Sequence, residues 1–345
     1  MSLPKDTECA DIVYGIDILE KSIRTLDAEL LNIMLLDRTT RKNILWATDD
    51  YVSLGPGFEM FSEITSDLIT GRYATLIQPR IAKPKNAQAG RTRDKAEVFT
   101  PSWICNRQNN LIDAQWFGRT GVFNVEDETS WTVSNEVISF RGAKKGWQKY
   151  VDAQRLEVSC GEAPYLVSRY DAVTGEKIPL NQRIGLLDRK MRIVQENAET
   201  PEEWLTWAQR AFESVYGFEY QGDNLLLARE NLLYSYIEYY QARFHQMPGI
   251  PLLRKIARII SWNIWQMDGL KYVVPGSCKP DESYQMAIPE FMDLGNDAIL
   301  ADATSTCPGC ATGNIYRHTG DYCRIMDWRS NLSRTFLSMM KGGNS

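Results

Sequence analysis

Between Arg155 and Leu270 the chain alternates short apolar runs with longer helical patterns, and this alternation restricts the fold more than any other feature. The apolar runs lead into Glu157, Glu219 and Asp268, and the helical patterns cover residues 201–214, 225–244 and 252–260. Strands and helices in such alternation predict a parallel sheet covered by helices. The expected fold class is therefore α/β.

Composition limits the kind of protein. The chain has 345 residues, of which 43% are hydrophobic, and these are sufficient for a packed core. It contains no apolar run of about 18 residues and no signal peptide at Met1–Asp6, so we expect no membrane partner. The seven cysteines are odd in number and dispersed, which favours a reducing, cytoplasmic location. A net charge of −5 does not indicate nucleic acid, although a local basic patch is enough to bind it.

Residues 1–95 form an N-terminal region of helical and irregular character. Apolar residues from Leu19 to Ile33 recur at spacings of three and four, which predicts an amphipathic helix. Residues 80–95 carry six basic side chains and one acidic one, among Ala, Gly, Asn and Pro. We expect an exposed loop here. Two alternatives stay open for it: contact with DNA phosphates, or a solvated loop without a ligand.

Three predicted strand ends carry groups suited to a nucleotide-like ligand. After Glu157, the Cys160-Gly161 turn lets the backbone approach a ligand closely, and a helix is expected to follow it. Glu219 ends the second strand, where a carboxylate can accept hydrogen bonds from ribose hydroxyls. Asp268 follows the third strand and can accept a hydrogen bond from an exocyclic amine. Each acid alone is more often a helix cap, so the argument depends on all three occurring in order.

Thr100 and Pro101, upstream of these strands, suit the N-cap and first position of a helix. Together with the strand ends, the Phe99-Thr100-Pro101 run resembles the S-adenosylmethionine-dependent N6-adenine DNA methyltransferases of restriction–modification systems. The resemblance covers roughly residues 96–270. It implies a Rossmann-like sheet, incomplete here, in a cofactor-binding domain of residues 96–275. The residues that it assigns to S-adenosylmethionine are Phe99, Thr100, Pro101, Glu157, Cys160, Gly161, Glu162, Ala163, Tyr165, Glu219, Asp268, Gly269 and Leu270.

The chain departs from this family at three points. The usual Gly-x-Gly turn is Gly161-Glu162-Ala163, which puts a Cβ where a bare backbone is usual. The interval from Gly161 to Glu219 is far longer than one βα unit needs and implies an insertion. The family's catalytic Asn-Pro-Pro-Tyr motif, which holds a flipped adenine, is absent because the sequence has no Pro-Pro pair.

We therefore expect the S-adenosylmethionine-binding subunit of a split N6-adenine DNA methyltransferase, in restriction–modification or phage defence, inactive by itself. Its partners would be double-stranded DNA and a second methyltransferase subunit, carrying Asn-Pro-Pro-Tyr and a target-recognition domain. The alternative is a catalytically inactive, methyltransferase-like defence protein that binds DNA or senses the cofactor. A methyltransferase acting alone on another substrate is less favoured, and a dinucleotide oxidoreductase least.

Residues 276–345 form a cysteine-rich C-terminal segment. Cys307, Cys310, His318 and Cys323 have the spacing C-x2-C-x7-H-x4-C, which suits a closed tetrahedral zinc site. Cys278 is an alternative fourth ligand. Unligated thiols and a redox pair are the competing interpretations. A zinc ion here would brace a loop or help to dock a partner, because no general base lies nearby in the sequence.

Overall fold

The computed structural model describes residues 13–14, 16–95, 100–140, 146–281 and 306–342, which form a mixed α/β fold. The strands are β1 (Val13–Tyr14), β2 (Asp17–Ile18), β3 (Asn124–Asp127), β4 (Ser130–Val133), β5 (Arg155–Glu157), β6 (Val215–Glu219), β7 (Ile264–Gln266), β8 (Arg324–Asp327) and β9 (Leu332–Thr335). The helices are α1 (Glu20–Leu26), α2 (Ala28–Leu35), α3 (Lys85–Lys95), α4 (Ser102–Phe117), α5 (Trp147–Val151), α6 (Leu186–Asn197), α7 (Pro201–Glu213), α8 (Gly222–Phe244), α9 (Ile250–Asn263), α10 (Pro308–Thr312) and α11 (Phe336–Gly342).

A small parallel sheet lies at the centre, with the strand order β5-β6-β7. Helices α6 and α7 connect β5 to β6, and α8 and α9 connect β6 to β7. The expected alternation of strands and helices is therefore confirmed. The other strand pairs, β1-β2, β3-β4 and β8-β9, are two-stranded and antiparallel.

Local sequence explains the helices around the sheet. Helix α7 has Thr200 as its N-cap, whose hydroxyl accepts a hydrogen bond from the N–H of Glu203, and Pro201 at its first position. Helix α8 is buried along most of its 23 residues, as expected for a helix packed on several sides. The expected single helix from Leu19 to Ile33 is instead α1 and α2, because Asp27 interrupts it and caps α2.

The N-terminal region shares a hydrophobic core with the central sheet. Arg229, fully buried in α8, donates hydrogen bonds to the carbonyls of Met34 and Ile264 and so connects the end of α2 to β7. The amide of Gln266 pairs with the backbone of Leu45, and a Cβ on Gly222 would lie 1.9 Å from the carbonyl oxygen of that same leucine. The N-terminal region thus packs directly against the sheet.

Several helices and strands begin or end at other residues than the sequence predicts, because of tertiary packing. The polar connection expected at residues 170–201 contains the largely buried helix α6. The strand expected at residues 262–265 begins later, because Trp262 and Asn263 end α9. The strand-like run at residues 43–51 makes only isolated bridges, at Asn43 and Leu45.

Candidate cofactor site and metal centre

The carboxyl ends of β5, β6 and β7 lie at one edge of the sheet, because the three strands are parallel. Glu157 is in register with Gly217, and Glu219 with Gln266. The backbone N–H of Gly161, in the turn after β5, donates a hydrogen bond of 2.9 Å to Oε2 of Glu219. The fold therefore puts the glycine turn and the carboxylate at the end of β6, expected to share one ligand, in direct contact.

The turn after β5 is tightly coiled. Ser159, Gly161 and Ala163 have φ angles of +50°, +52° and +62°. Glycine adopts this left-handed conformation freely, whereas a residue with a Cβ is strained there. Ala163 stands where the methyltransferases that the sequence resembles usually have a second glycine, and its backbone conformation is one that favours glycine.

The helix expected directly after this turn is absent, and residues 161–167 form turns. The carboxylate of Glu157 accepts hydrogen bonds from the N–H groups of Tyr165 and Leu166, at 3.3 and 3.2 Å. These bonds satisfy the backbone donors that a helix would otherwise have used. Cys160 is buried against Gly217, whose missing Cβ leaves room for it.

Glu157 and Glu219 are both buried, and burial raises the pKa of each carboxyl. Backbone N–H donors partly oppose this shift in both cases, and repulsion from Glu219 adds to the pKa of Glu157. Oε1 of Glu219 also accepts a hydrogen bond of 3.2 Å from the N–H of Gln221. A carboxylate offers about four lone-pair positions, so Glu219 retains capacity for ligand hydroxyls.

The Thr100-Pro101 motif lies next to the β5 turn. The hydroxyl of Tyr165 interacts with Thr100 and with Cys105 of α4. The expectation that Thr100 caps the helix is wrong: α4 begins at Ser102, whose N–H donates to Asp171 at 2.7 Å. The carboxylate of Asp171, from a loop distant in the sequence, thus caps this helix in place of the hydroxyl of Thr100. Phe99 lies outside the described residues.

Glu162 is occupied by protein groups. One of its carboxylate oxygens accepts a hydrogen bond of 2.6 Å from the N–H of Arg80, and the other accepts from the hydroxyl of Tyr170. Its backbone carbonyl accepts from the side chain of Asn231 in α8. These contacts hold the N-terminal segment and α8 against the turn, so the structure gives Glu162 a positioning role at the site.

At the third strand end, Asp268 stabilises its own turn. Its carboxylate accepts hydrogen bonds from the N–H groups of Leu270 and Lys271, and it forms an ion pair of 3.2 Å with the Lys271 ammonium. A Cβ on Gly269 would lie 2.8 Å from the ring of Phe218, so glycine is required there. Leu270 is 86% exposed and presents an apolar side chain beside the sheet edge.

The basic segment at residues 80–95 is not the expected exposed loop. Residues Lys85–Lys95 form α3, and Arg91 is only 4% exposed. Arg91 donates to both carboxylate oxygens of Asp223, at 2.7 and 3.1 Å, and to Gln221 at 2.5 Å. Lys83 lies 3.1 Å from the same aspartate. These two cations are neutralised inside the protein.

Asp223, at the start of α8, is a site residue that sequence reasoning missed. It is fully buried, yet the adjacent Lys83 and Arg91 overcome the effect of burial and hold the pKa of its carboxyl well below the usual range. It lies four residues after Glu219 in the chain, so this ion-pair cluster anchors the N-terminal region directly beside the strand-end site. The position of Asp223 just after a predicted strand was the available signal.

A second site is formed by Cys278, Cys307, Cys310 and His318. One ligand atom from each lies within 4.8 Å of all the others. The three sulfurs are 3.5 to 3.7 Å from Nδ1 of the histidine. Three cysteines and one histidine at these positions could hold a structural metal ion in closed tetrahedral geometry.

The surrounding backbone fits such a centre. Gly309 lies under the histidine, where a Cβ would be 2.5 Å from its ring. The N–H of Thr319 donates to Sγ of Cys307 at 3.3 Å. Despite some burial, donors from Thr319 and Cys310, together with His318, lower the pKa of the Cys307 thiol to about 5, which favours the metal-binding thiolate.

Cys323 is not part of this group, so its assignment as the fourth ligand is wrong. It is fully buried, and its thiol donates to the carbonyl of Gln266 in β7 at 3.3 Å. Cys278, the alternative considered from the sequence, takes the fourth position. The chain from His318 to Cys323 leaves the metal group to pair with residues following β7, through the N–H of Cys323 and the carbonyl of Tyr272.

Comparison with protein-family models, curated proteins and solved structures found no match to this chain. Among the helices in the described part of the chain, none combines the length and apolar character needed to cross a bilayer.

Proposed function

We propose that this chain binds S-adenosylmethionine at the edge formed by β5, β6 and β7, as the cofactor subunit of a split N6-adenine DNA methyltransferase. The observation that carries the proposal is the contact between the N–H of Gly161 and the carboxylate of Glu219. A tight turn after one parallel strand and an acid ending the next are the groups that nucleotide-like ligands need at the carboxyl edge of an α/β sheet. A Rossmann-like arrangement of the sheet belongs to the same proposal.

Each strand end has a role in this proposal. Glu219 accepts hydrogen bonds from the ribose hydroxyls, and Gly161 gives the ligand access to bare backbone. Asp268 accepts from the adenine amine, while the exposed Leu270 covers one face of that base. Thr100, held close to the turn through Tyr165, lies toward the methionine end.

S-adenosylmethionine supplies a methyl group that its sulfonium charge activates. This chain's residues orient that group and exclude water around it, which is the main requirement of a direct transfer between two positioned reactants. The adenine N6 that receives the methyl group must be held by carbonyl acceptors. In the proposal, a partner subunit with an Asn-Pro-Pro-Tyr motif supplies them together with target recognition on double-stranded DNA.

The metal centre is proposed to hold zinc and to brace the third strand end. The segment leaving His318 bridges to residues after β7 at Val273, which itself bridges to Asp268. A zinc ion that joins Cys278 to the residues 307–318 therefore stabilises the turn that carries Asp268 and Leu270. Its role is structural, because four protein ligands leave no open position for catalysis.

Calorimetric titration with S-adenosylmethionine tests the proposal. The wild-type chain and Glu199→Gln, a change at an exposed glutamate, should bind with similar affinity. Glu219→Gln should bind at least about tenfold more weakly, since it loses charge-assisted hydrogen bonds to the ribose. Circular dichroism should first establish that Glu219→Gln is folded.

Equal binding by Glu219→Gln and wild type would refute the assignment of the ribose site. Absence of binding by the wild-type chain, both alone and with a candidate subunit carrying Asn-Pro-Pro-Tyr, would refute the cofactor function itself. Methylation of adenine in duplex DNA by the two subunits together, and by neither alone, is the expected positive result.

A further inference from the structure

A cavity of about 430 Å³ lies away from the strand-end site, between α8 and the residues 169–183 that precede α6. Arg169, Lys177 and Arg183 contribute three cationic side chains to its wall, whereas Glu238 is the one carboxylate among its lining residues. The remaining wall is apolar or aromatic. Cations therefore dominate the lining, although the protein as a whole is acidic.

The two arginines share a single carboxylate oxygen. Oε2 of Glu238 accepts from Nε of Arg169 at 3.3 Å and from Nη2 of Arg183 at 2.7 Å. Their side chains are only 7% and 4% exposed. Glu238 is the carboxylate that contacts both guanidinium groups, and Asp188 also acts electrostatically on Arg183. With Lys177, the three cations of the wall still outnumber these two acids, so a further anion would be attracted to the cavity.

Arg183 also has unused hydrogen-bonding capacity. Its Nη1 is buried and, among the residues that the structure describes, has no hydrogen-bond partner. Buried donors are nearly always satisfied, so an exception requires an explanation such as a ligand or an ordered water. The same side chain also lines the adjacent cavity, together with Arg192, so Arg183 separates the two cavities.

Neighbouring acids offset the positive charge only in part. Asp188 lines the adjacent cavity and acts on Arg183, but its carboxylate is engaged by the N–H and hydroxyl of Ser168 and by the hydroxyl of Tyr239. Behind Arg169, the buried acids Asp17 and Glu230 both have a pKa raised by burial, which favours their neutral forms. Their charge is therefore reduced where it could offset the arginines.

Arg169 is held in one orientation. Its guanidinium lies 4.4 Å from the ring centroid of Tyr234, and Nη1 donates to Asn231 at 3.1 Å. A guanidinium fixed against an aromatic ring loses little conformational entropy when it binds an anion. Together with Lys177 at the exposed rim, it gives the cavity a fixed cationic face.

We propose that this cavity binds the phosphate group of a phosphoester, with Arg183 and Lys177 as its principal ligands and Arg169 as the fixed cation behind them. Guanidinium and ammonium groups donate charge-assisted hydrogen bonds to phosphate oxygens, and Nη1 of Arg183 is a donor without a partner among the described residues. The cavity volume exceeds that of one phosphate, which leaves room for the ester's organic part. The site is distinct from the strand-end site and does not depend on cofactor binding there.

Calorimetry with the full chain at low ionic strength tests this, using inorganic phosphate and adenosine 5′-monophosphate as separate probes. Saturable binding by wild type should weaken about tenfold in Lys177→Gln, since a charge-assisted contact is lost. Arg183→Lys keeps the charge but removes the unpartnered Nη1 donor, and should also weaken binding. The matched control Arg119→Gln removes an exposed arginine elsewhere and should bind as wild type does.

Competition distinguishes the source of the phosphate. Displacement of the bound monophosphate by a short DNA duplex would identify a nucleic-acid backbone, and resistance to the duplex would identify a free phosphoester. Either outcome supports the site. Absence of binding by wild type, or equal weakening in Arg119→Gln, would overturn the proposal. Because Lys177 is exposed, unfolding cannot explain the loss of binding expected for Lys177→Gln.

Discussion

Asp17, Glu20 and Glu230 form a buried acid cluster between the N-terminal segment and α8, and its effect on stability can be predicted. The residues are 6%, 1% and 1% exposed. Five of their carboxylate oxygens have no hydrogen-bond partner among the described residues. Burial raises the pKa of Asp17 from 3.8 to about 7, and it raises those of Glu20 and Glu230 in the same direction.

The direction in which stability changes with pH follows from proton linkage. The folded protein holds the Asp17 proton more tightly than the unfolded chain does, so stability falls as pH rises from about 4 to about 7 and is level above that. A difference of about 3 in pKa, at about 1.4 kcal/mol for each step of one, corresponds to about 4 kcal/mol. About 3 kcal/mol of this decline falls between pH 5 and pH 8. The asparagine side chain in Asp17→Asn cannot ionise, so this variant should lack the decline in stability.

Urea unfolding, followed by tryptophan fluorescence at half-unit intervals from pH 5 to pH 8, measures this effect. The free energy of unfolding of Asp17→Asn minus that of wild type should increase by about 3 kcal/mol across the range. Taking the difference cancels the titration of groups that do not interact with Asp17, including the metal ligands. The loss of repulsion from Asp17 also lowers the pKa of Glu20 and Glu230 in the variant. Asp67→Asn, whose side chain is 83% exposed, is the control and should show no such trend. A constant difference for Asp17→Asn would show that Asp17 titrates normally and refute the reasoning.

Three further predictions test the packing of the two sites. The purified chain should contain one zinc ion, lost in Cys278→Ser but retained in Cys323→Ser, as measured by elemental analysis; the reverse pattern would restore the ligand set expected from the sequence. Arg91→Met should destabilise the fold by about 3 kcal/mol in urea unfolding, because Asp223 would lose its bidentate buried partner and keep only Lys83; a cost below about 1 kcal/mol would mean that the ion pair is solvated. Ala163→Gly should change stability by less than about 1 kcal/mol, since relief of the left-handed conformation offsets the loss of a buried methyl group; a large loss would show that the alanine backbone is unstrained.

Local patterns in the sequence determined much of the framework. The strand at residues 215–219 and the helix beginning at Pro201 lie where they were expected, because residue alternation, proline and N-cap signals act between near neighbours. The same is true of Cys307, Cys310 and His318, whose spacing brings three of the four possible metal ligands together within one short segment. The residues that form these features lie close together in the chain.

Tertiary structure decided the partners that come from distant segments. The polar neighbours of Arg91 predict an exposed loop, yet Arg91 lies in a helix and is buried against Asp223, 132 residues away. Cys278, and not Cys323, completes the group that could hold a metal, because Cys323 is buried in the core against β7. Ser102 is capped by Asp171 for the same kind of reason. Contacts between residues so far apart depend on how the whole chain folds around its core. Local residue patterns in the sequence do not reveal which distant residues will meet.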